Sequence, residues 1–311
     1  MLFGGYMEKK TGLWVNLSLF LLFLVWANSY TFIKIAERQL EPISLVIARF
    51  FIIFPFLFLF KDFYTGIKKI QSINDFLKIL LVGLLIVPAY HIFLNTAETM
   101  INASVAALVA GFSPVITGVL SSIILREKLE QKRIIGLIIS LVGVITLTYG
   151  ISHKFEIKNS FGVLLSLTSV TSWALATVTS KSLYNKFKPI EVNTLGLFFG
   201  TLALIPFVKA RYIKQILTMN SQTLIAVLYL GVLCILIGYA VWFKALEYKE
   251  ASTTATFIYL NPIIGSISGI IFLKEPMNIV MIIGGITIIL GLFFVNPLKM
   301  EIKRQESFEN K

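Results

Sequence analysis

Arg49 lies about six residues into an apolar run long enough to cross a bilayer. A charge at the centre of such a run costs about 2.5–3.5 kcal/mol on insertion scales, and less near its edge. Arg49 must therefore pair, line water, or reach back to the headgroups. Glu98, at the outer end of the third run, is the expected partner, in a bridge that forms in one open state and breaks in the other. The alternative is a substrate carboxylate or phosphate held in a bidentate fork. His91 and Tyr239 stand 148 residues apart in the middle thirds of their runs, with Tyr90 beside His91. The imidazole could take a proton near neutral pH or bond a substrate, or be a satisfied core residue. Trp26 and Trp173 fall near mid-depth rather than at the interfaces Trp prefers, which suggests either an aromatic wall or core filling. Tyr30 and Thr177 follow four residues later on the same faces. Pro114 and Pro262 free the carbonyls of Ala110 and Ile258, and at membrane depth those must face protein or water. Asn261 precedes the second proline. The expected cavity set is thus Trp26, Tyr30, Arg49, Tyr90, His91, Trp173, Thr177, Tyr239 and Asn261, with Glu98, Pro114 and Pro262 in gating positions.

Other charges read as structural. Lys34 and Lys181 end their runs and are expected to snorkel. Lys244 and Glu247 are spaced as a helical ion pair. Glu127 and Glu275 lie just past helix ends, where the positive end of the next helix would favour a carboxylate. The chain carries no P-loop, HExxH, CxxC or arguable Ser/His/Asp set, and has two His and one Cys in all. No metal, cofactor or enzymatic centre is expected. Cys234, inside an apolar run, is read as a small hydrophobe.

The elements that must position these residues follow from composition. Of 311 residues 57 % are apolar and 14 % charged, and mean hydropathy is +0.84. Soluble domains are roughly 45–50 % apolar and about 25 % charged. Disorder is excluded, and so is a soluble enzyme, because a chain this size cannot hide so much apolar side chain from water. The fold class is all-α integral membrane. Runs near the 20 residues of a spanning helix occur at 14–36, 43–60, 76–98, 103–125, 133–150, 161–182, 190–208, 222–247, 251–273 and 278–297. The first has no convincing cleavage site and reads as a retained spanning helix. The net charge of +12 resides in short connections, so it marks the inner membrane surface rather than nucleic acid.

The halves repeat. Gly83 and Gly231, Ser104 and Ser252, Pro114 and Pro262, Glu127 and Glu275, Gly136 and Gly284, and Gly143 and Gly291 are all 148 apart. Trp26 and Trp173, Lys34 and Lys181, and Pro42 and Pro189 are 147 apart. Two repeats are expected, residues 1–153 and 154–311, of about five helices each. An odd number inserts the second repeat the opposite way round, the arrangement of many secondary transporters. With both termini inside, sixteen Lys and Arg fall in inner segments against seven outside, so the chain is placed in the cytoplasmic membrane, N-in and C-in.

Each half also carries a small-residue helix with a central proline and a terminal glutamate. These run from Ala103-Ser104-Val105-Ala106-Ala107 through Ser113-Pro114-Val115 to Leu125-Arg126-Glu127, and from Ala251-Ser252-Thr253-Thr254-Ala255 through Asn261-Pro262-Ile263 to Leu273-Lys274-Glu275. With Trp26-Ala27-Asn28 and Lys34 in the first helix, this pattern resembles the EamA-type branch of the drug/metabolite transporter superfamily over nearly the whole chain. Ala27 stands where that family often has Gly. The resemblance implies transport of a small molecule by alternating access, in many members export of amino acids or related metabolites. The expected partners are a small-molecule substrate and the lipid bilayer. A passive channel is the alternative. A membrane enzyme acting on a lipid-linked substrate would need clustered interface acids, which the sequence scatters.

Overall fold

The computed structural model describes residues 2–101, 103–152, 159–273 and 278–295. His153, Lys274 and Glu275 lie outside these residues, as do the side chains of Tyr30 and Ser104. The described residues form helices α1 Leu2–Glu37, α2 Pro42–Leu57, α3 Lys61–Lys69, α4 Ile73–Glu98, α5 Ala103–Ala110, α6 Ser113–Ile124, α7 Gln131–Ser152, α8 Ser160–Lys181, α9 Pro189–Leu202, α10 Ala210–Leu217, α11 Ser221–Tyr248, α12 Ala251–Ala255, α13 Leu260–Leu273 and α14 Ile279–Val295.

Among the described residues six helices are long and apolar enough to cross a membrane by themselves, and a seventh span is added if α2 and α3 count as one bent span. The ten apolar runs of the sequence therefore do not all become uninterrupted spans. The second run, expected to reach residue 60, stops at Leu57 after Pro55, and the chain turns by 87° into α3. The fourth run breaks at Gly111–Phe112, between α5 and α6. The ninth passes through a 3₁₀ turn at Thr256–Tyr259, between α12 and α13. Both breaks lie just before the two prolines, as their missing N–H groups require.

The outer surfaces are apolar. On α7, Ile134, Ile135, Ile138, Val142 and Ile145 are exposed, and on α14, Ile282, Ile283, Ile286, Phe293 and Phe294. Surface of this kind needs a hydrocarbon partner, and the protein is a multi-pass membrane protein.

Glycines set the closest helix contacts. A Cβ on Gly83 of α4 would lie 2.6 Å from the Gly196 carbonyl oxygen of α9. The α7–α14 pair is the most extensively packed. There Gly136 meets Gly291, and Gly143 meets Gly284 and Ile288, so the two helices run antiparallel. Since Gly136 corresponds to Gly284 and Gly143 to Gly291, the contact is reciprocal. Small residues permit this approach. The short helices dock reciprocally too. On α3, Thr65 and Lys69 reach Glu191 at the start of α9, at 2.9 and 2.6 Å. On α10, Arg211 and Gln215 reach Glu41 at the start of α2, at 2.9 and 3.1 Å.

Gly143→Ala places a methyl 2.6 Å from the Ile288 backbone nitrogen and should cost about 1–3 kcal/mol by overpacking. A Cβ at Gly265 meets nothing within 4 Å, and Gly265→Ala should be neutral or stabilising. Thermal unfolding in detergent should therefore rank Gly143→Ala below wild type and Gly265→Ala at or above it.

Candidate functional site

A cavity of about 90 Å³ lies between the two halves. Its walls come from α1 (Trp26, Ser29, Ile33), α2 (Arg49), α4 (Tyr90, His91, Leu94), α5 and α6 (Ala110, Ser113), α8 (Val170, Trp173), α11 (Leu230, Cys234, Ile235, Tyr239) and the second helix break (Ile258, Asn261). Trp26 is the thirteenth residue of the 24-residue span Trp14–Glu37, and Trp173 the fourteenth of the 22-residue span Ser160–Lys181. The cavity thus lies at mid-depth of both helices.

Local structure aims these side chains. α4 contains a π turn at Leu85–Ala89 that includes Pro88, and α11 a π segment at Tyr229–Ile237. These are corresponding places in the two halves, immediately before Tyr90-His91 and shortly before Tyr239. A π turn inserts extra backbone and rotates the helix beyond it, which here swings both residues to the cavity. A Cβ at Gly231 would lie 2.9 Å from the Arg49 carbonyl oxygen, which brings α2 against α11. A Cβ at Gly238 would lie 2.8 Å from Trp26 Nε1, so this glycine leaves room for the indole, which donates to the Cys234 carbonyl at 2.9 Å.

The polar centre is Arg49, 2 % exposed. Its Nη2 donates to His91 Nδ1 at 2.8 Å and to Asn95 Oδ1 at 3.2 Å. A guanidinium has no acceptor, so Nδ1 is the unprotonated ring nitrogen and Nε2 carries the proton. His91 Nε2 then donates to the Tyr239 hydroxyl oxygen at 2.7 Å. His91 and Tyr239, equivalent positions of the two halves, are thus bonded to each other. Around them Trp26 packs edge-on to Trp173, with centroids 5.5 Å apart, and Trp173 lies 5.2 Å from both Tyr90 and Tyr239. Among the described residues several buried polar atoms here have no partner: Arg49 Nε, Asn95 Nδ2, Ser113 Oγ, Asn261 Oδ1, and both carboxylate oxygens of Glu98.

Glu98, expected to bridge Arg49 in one of two states, does not do so in this one, where His91 and Asn95 hold the guanidinium. Other expectations require correction. Thr177 does not line the cavity. It is buried behind Trp242, whose Nε1 donates to its hydroxyl at 3.4 Å. Pro114 and Pro262, expected in gating positions, lie beside the cavity rather than on its wall, and Ala110 and Ile258, four residues before them, line it. Lys181 does not snorkel. It pairs with Glu127 at 3.4 Å and donates to the Lys249 carbonyl. Lys34, 59 % exposed in its side chain, pairs with Glu37, and Lys244 pairs with Glu247. Sequence reasoning missed Asn95, Ser113 and Trp242 as site residues. Asn95 stands four residues after His91, Ser113 is the equivalent of Asn261, and Trp242 follows Tyr239 by three, so helical spacing and the repeat carried each signal.

Glu127 serves a different helix from the one its position suggests. Arg126 adopts φ 57°, the left-handed conformation usual at a helix C-terminus, and the Glu127 amide returns to the Ser121 carbonyl. The Glu127 carboxylate is thereby delivered to the other half. It accepts from the Ala251 and Ser252 amides at 2.8 and 3.2 Å and from the Ser252 hydroxyl at 3.0 Å, capping α12. Arg133 bonds the Ser252 hydroxyl at 3.1 Å and pairs with Glu250. This tie lies eight residues, about 12 Å at 1.5 Å per residue, beyond Trp173 along α8.

The EamA-like transporter family profile matches residues 13–149 and again 160–296. The chain belongs to this family, with the domain present twice, and is a transporter by class. An Archaeoglobus fulgidus protein named an uncharacterized transporter is 29 % identical, over 91 % of this chain and 98 % of its own. A Salmonella typhimurium protein named a probable amino-acid metabolite efflux pump is 24 % identical, over 91 % and 95 %, and an Escherichia coli protein of the same name is 25 % identical, over 88 % and 91 %. One solved crystal structure superimposes with a TM-score of 0.69 over 91 % of this chain and 98 % of its own at 18 % identity, a likeness of fold.

Burial pushes the Glu127 carboxyl up, but Lys181 and the Ala251 and Ser252 donors outweigh it and hold it below its usual range. A lowered folded pKa contributes stability that is present above the unfolded value and lost as pH falls through the folded one. The Tm difference between wild type and Glu127→Gln should be constant near neutrality and shrink only below the usual carboxylate value of about 4.3.

Proposed function

We propose that the protein is a secondary transporter that moves a small polar metabolite, an amino acid or a related compound, out across the cytoplasmic membrane by alternating access. The observation that carries this reading is the mid-depth cavity between the two halves, lined from each by equivalent residues: Trp26 with Trp173, His91 with Tyr239, Ser113 with Asn261. Transporters built from repeats bind substrate at such a place, among broken helices. The breaks before Pro114 and Pro262 supply these. The names of the Salmonella typhimurium and Escherichia coli relatives support the substrate class and the outward direction.

On this reading the chain crosses the membrane ten times, the broken and bent helices counting as spans, as inverted repeats 1–153 and 154–311 with both termini inside. The antiparallel, reciprocal packing of α7 on α14 supports the inversion, since two equivalent helices that face each other head to tail belong to units of opposite sense. The Glu127–Lys181 and Arg133–Glu250 pairs fasten the halves at one end, which leaves exchange to the other. A cycle must break them and close the opposite end. Trp26, Tyr30, Arg49, Tyr90, His91, Trp173, Tyr239 and Asn261 are assigned to binding, and Glu98, Pro114 and Pro262 to gating.

Proteoliposomes loaded with unlabelled amino acids and related metabolites should show counterflow of the labelled solute, lost in Trp26→Ala and Trp173→Ala. Labelling of single cysteines at residues 127 and 275 in intact cells should reach only one of the two. Labelling of both from one side removes the inversion, and absence of counterflow for every solute removes the transport reading.

A further inference from the structure

The cavity's polar groups define a charge and a pattern of donors. Arg49 is buried at mid-depth, and both its described partners, His91 and Asn95, are neutral. Glu98 acts on it only through space and accepts no hydrogen bond from it. A buried charge without a bonded counter-charge is costly unless something else compensates it.

The bonds around Arg49 run in one direction. Arg49 donates to His91, and His91 donates to Tyr239. The Tyr239 hydroxyl, already an acceptor, keeps its own proton to give. Arg49 Nε–H is free, and Asn95, having spent its oxygen on Arg49, has its Nδ2 donor free. Asn95 is fully buried and is not among the lining residues, so the groups presented to the cavity are the Arg49 cation and the Tyr239 hydroxyl proton. Across the cavity Asn261 Oδ1 is an unpartnered acceptor. Beside these the walls carry the Ser29 and Ser113 hydroxyls, the second without a partner, and are otherwise mostly rings and aliphatic side chains. The volume of about 90 Å³ is less than the ~150 Å³ of a cavity that admits benzene.

Building on the transport reading above, we infer that the substrate is a small monocarboxylate bearing a hydroxyl or ammonium group, its carboxylate bound by Arg49 with the Tyr239 hydroxyl, and its second polar group donating to Asn261. Arg49 supplies the charge at short range, and the donor chain through His91 fixes the direction of the Tyr239 proton. A neutral amide in place of the carboxylate brings its own N–H donors against this donor set and loses the counter-charge. Fused aromatic acids exceed the space.

The test is counterflow in proteoliposomes of the full chain, with two- to four-carbon amino and hydroxy monocarboxylates, each beside its primary amide, and with neutral sugars and polyols as a separate group. Acids should exchange and their amides should not. Tyr239→Phe removes one donor to a charged group, while the bonds from Arg49 to His91 and Asn95 stay in place. It should raise the half-saturating acid concentration about ten-fold or more. Arg49→Gln should abolish acid exchange, and Arg49→Lys should restore part of it. Equal exchange of acids and amides, or exchange of neutral solutes alone, overturns this inference while the transport reading stands. Acid exchange indifferent to both Tyr239→Phe and Arg49→Gln overturns it as well. A wild type that moves none of these solutes overturns both.

Discussion

Polar groups at hydrocarbon depth must be met by protein or by water, because lipid offers neither donor nor acceptor. This constraint explains where the chain departs from straight apolar helices. Apart from the turn between α2 and α3, the main departures are the breaks at Gly111–Phe112 and Thr256–Tyr259, the π segments of α4 and α11, and the guanidinium of Arg49. Each frees or introduces polar groups, and each borders the same cavity. The α7–α14 contact, by contrast, is built mostly on glycine and aliphatic side chains, and both helices run without a break.

The class of fold was legible in the sequence because composition and the length of apolar runs are set by the solvent, not by tertiary detail. The repeat was legible because prolines, glycines and glutamates kept constant offsets, and the family profile matches the chain twice, at residues 13–149 and 160–296. Trp26, Trp173, His91, Tyr239, Tyr90, Arg49 and Asn261 do share one cavity. The pairing within it was not legible. Arg49 and Glu98 looked like partners on charge alone, but His91 and Asn95, on the same face of α4 and two turns and one turn nearer its middle, take the guanidinium, and the π turn before them sets which face that is. Hydropathy carries no signal for a one-residue insertion in backbone hydrogen bonding. Thr177 failed for a related reason: the four-residue spacing from Trp173 places it on the correct face of α8, and Trp242 from another helix covers it.

Glu127 shows the same limit from the outside of the bundle. Its place just before α7 suggests a role at the start of that helix, but the left-handed turn at Arg126 sends the carboxylate across to α12. Capping between halves does more than capping within one. It makes the N-terminus of a short helix in the second half depend on a loop in the first, and Lys181 joins the same carboxylate. Separation of the halves at this end would leave two amides, a hydroxyl and an ammonium without their acceptor until water replaced it.

The bonds across the cavity differ in kind from those ties. Two neutral hydrogen bonds span the halves there, from His91 to Tyr239 and from Trp26 to the Cys234 carbonyl. Neutral hydrogen bonds contribute about 1 kcal/mol net each, and water can satisfy either group. A rocking motion can exchange them for water at small cost, whereas Arg49, His91 and Asn95 all belong to the first half and travel together. In such a motion the guanidinium keeps its two partners and Tyr239 is the group that departs. On the proposed cycle the donor count presented to a bound anion would then change with the state of the transporter, and an anion held by both halves would resist the motion until it moved with one of them. The geometry around His91 thus links what the cavity holds to how the two halves can separate.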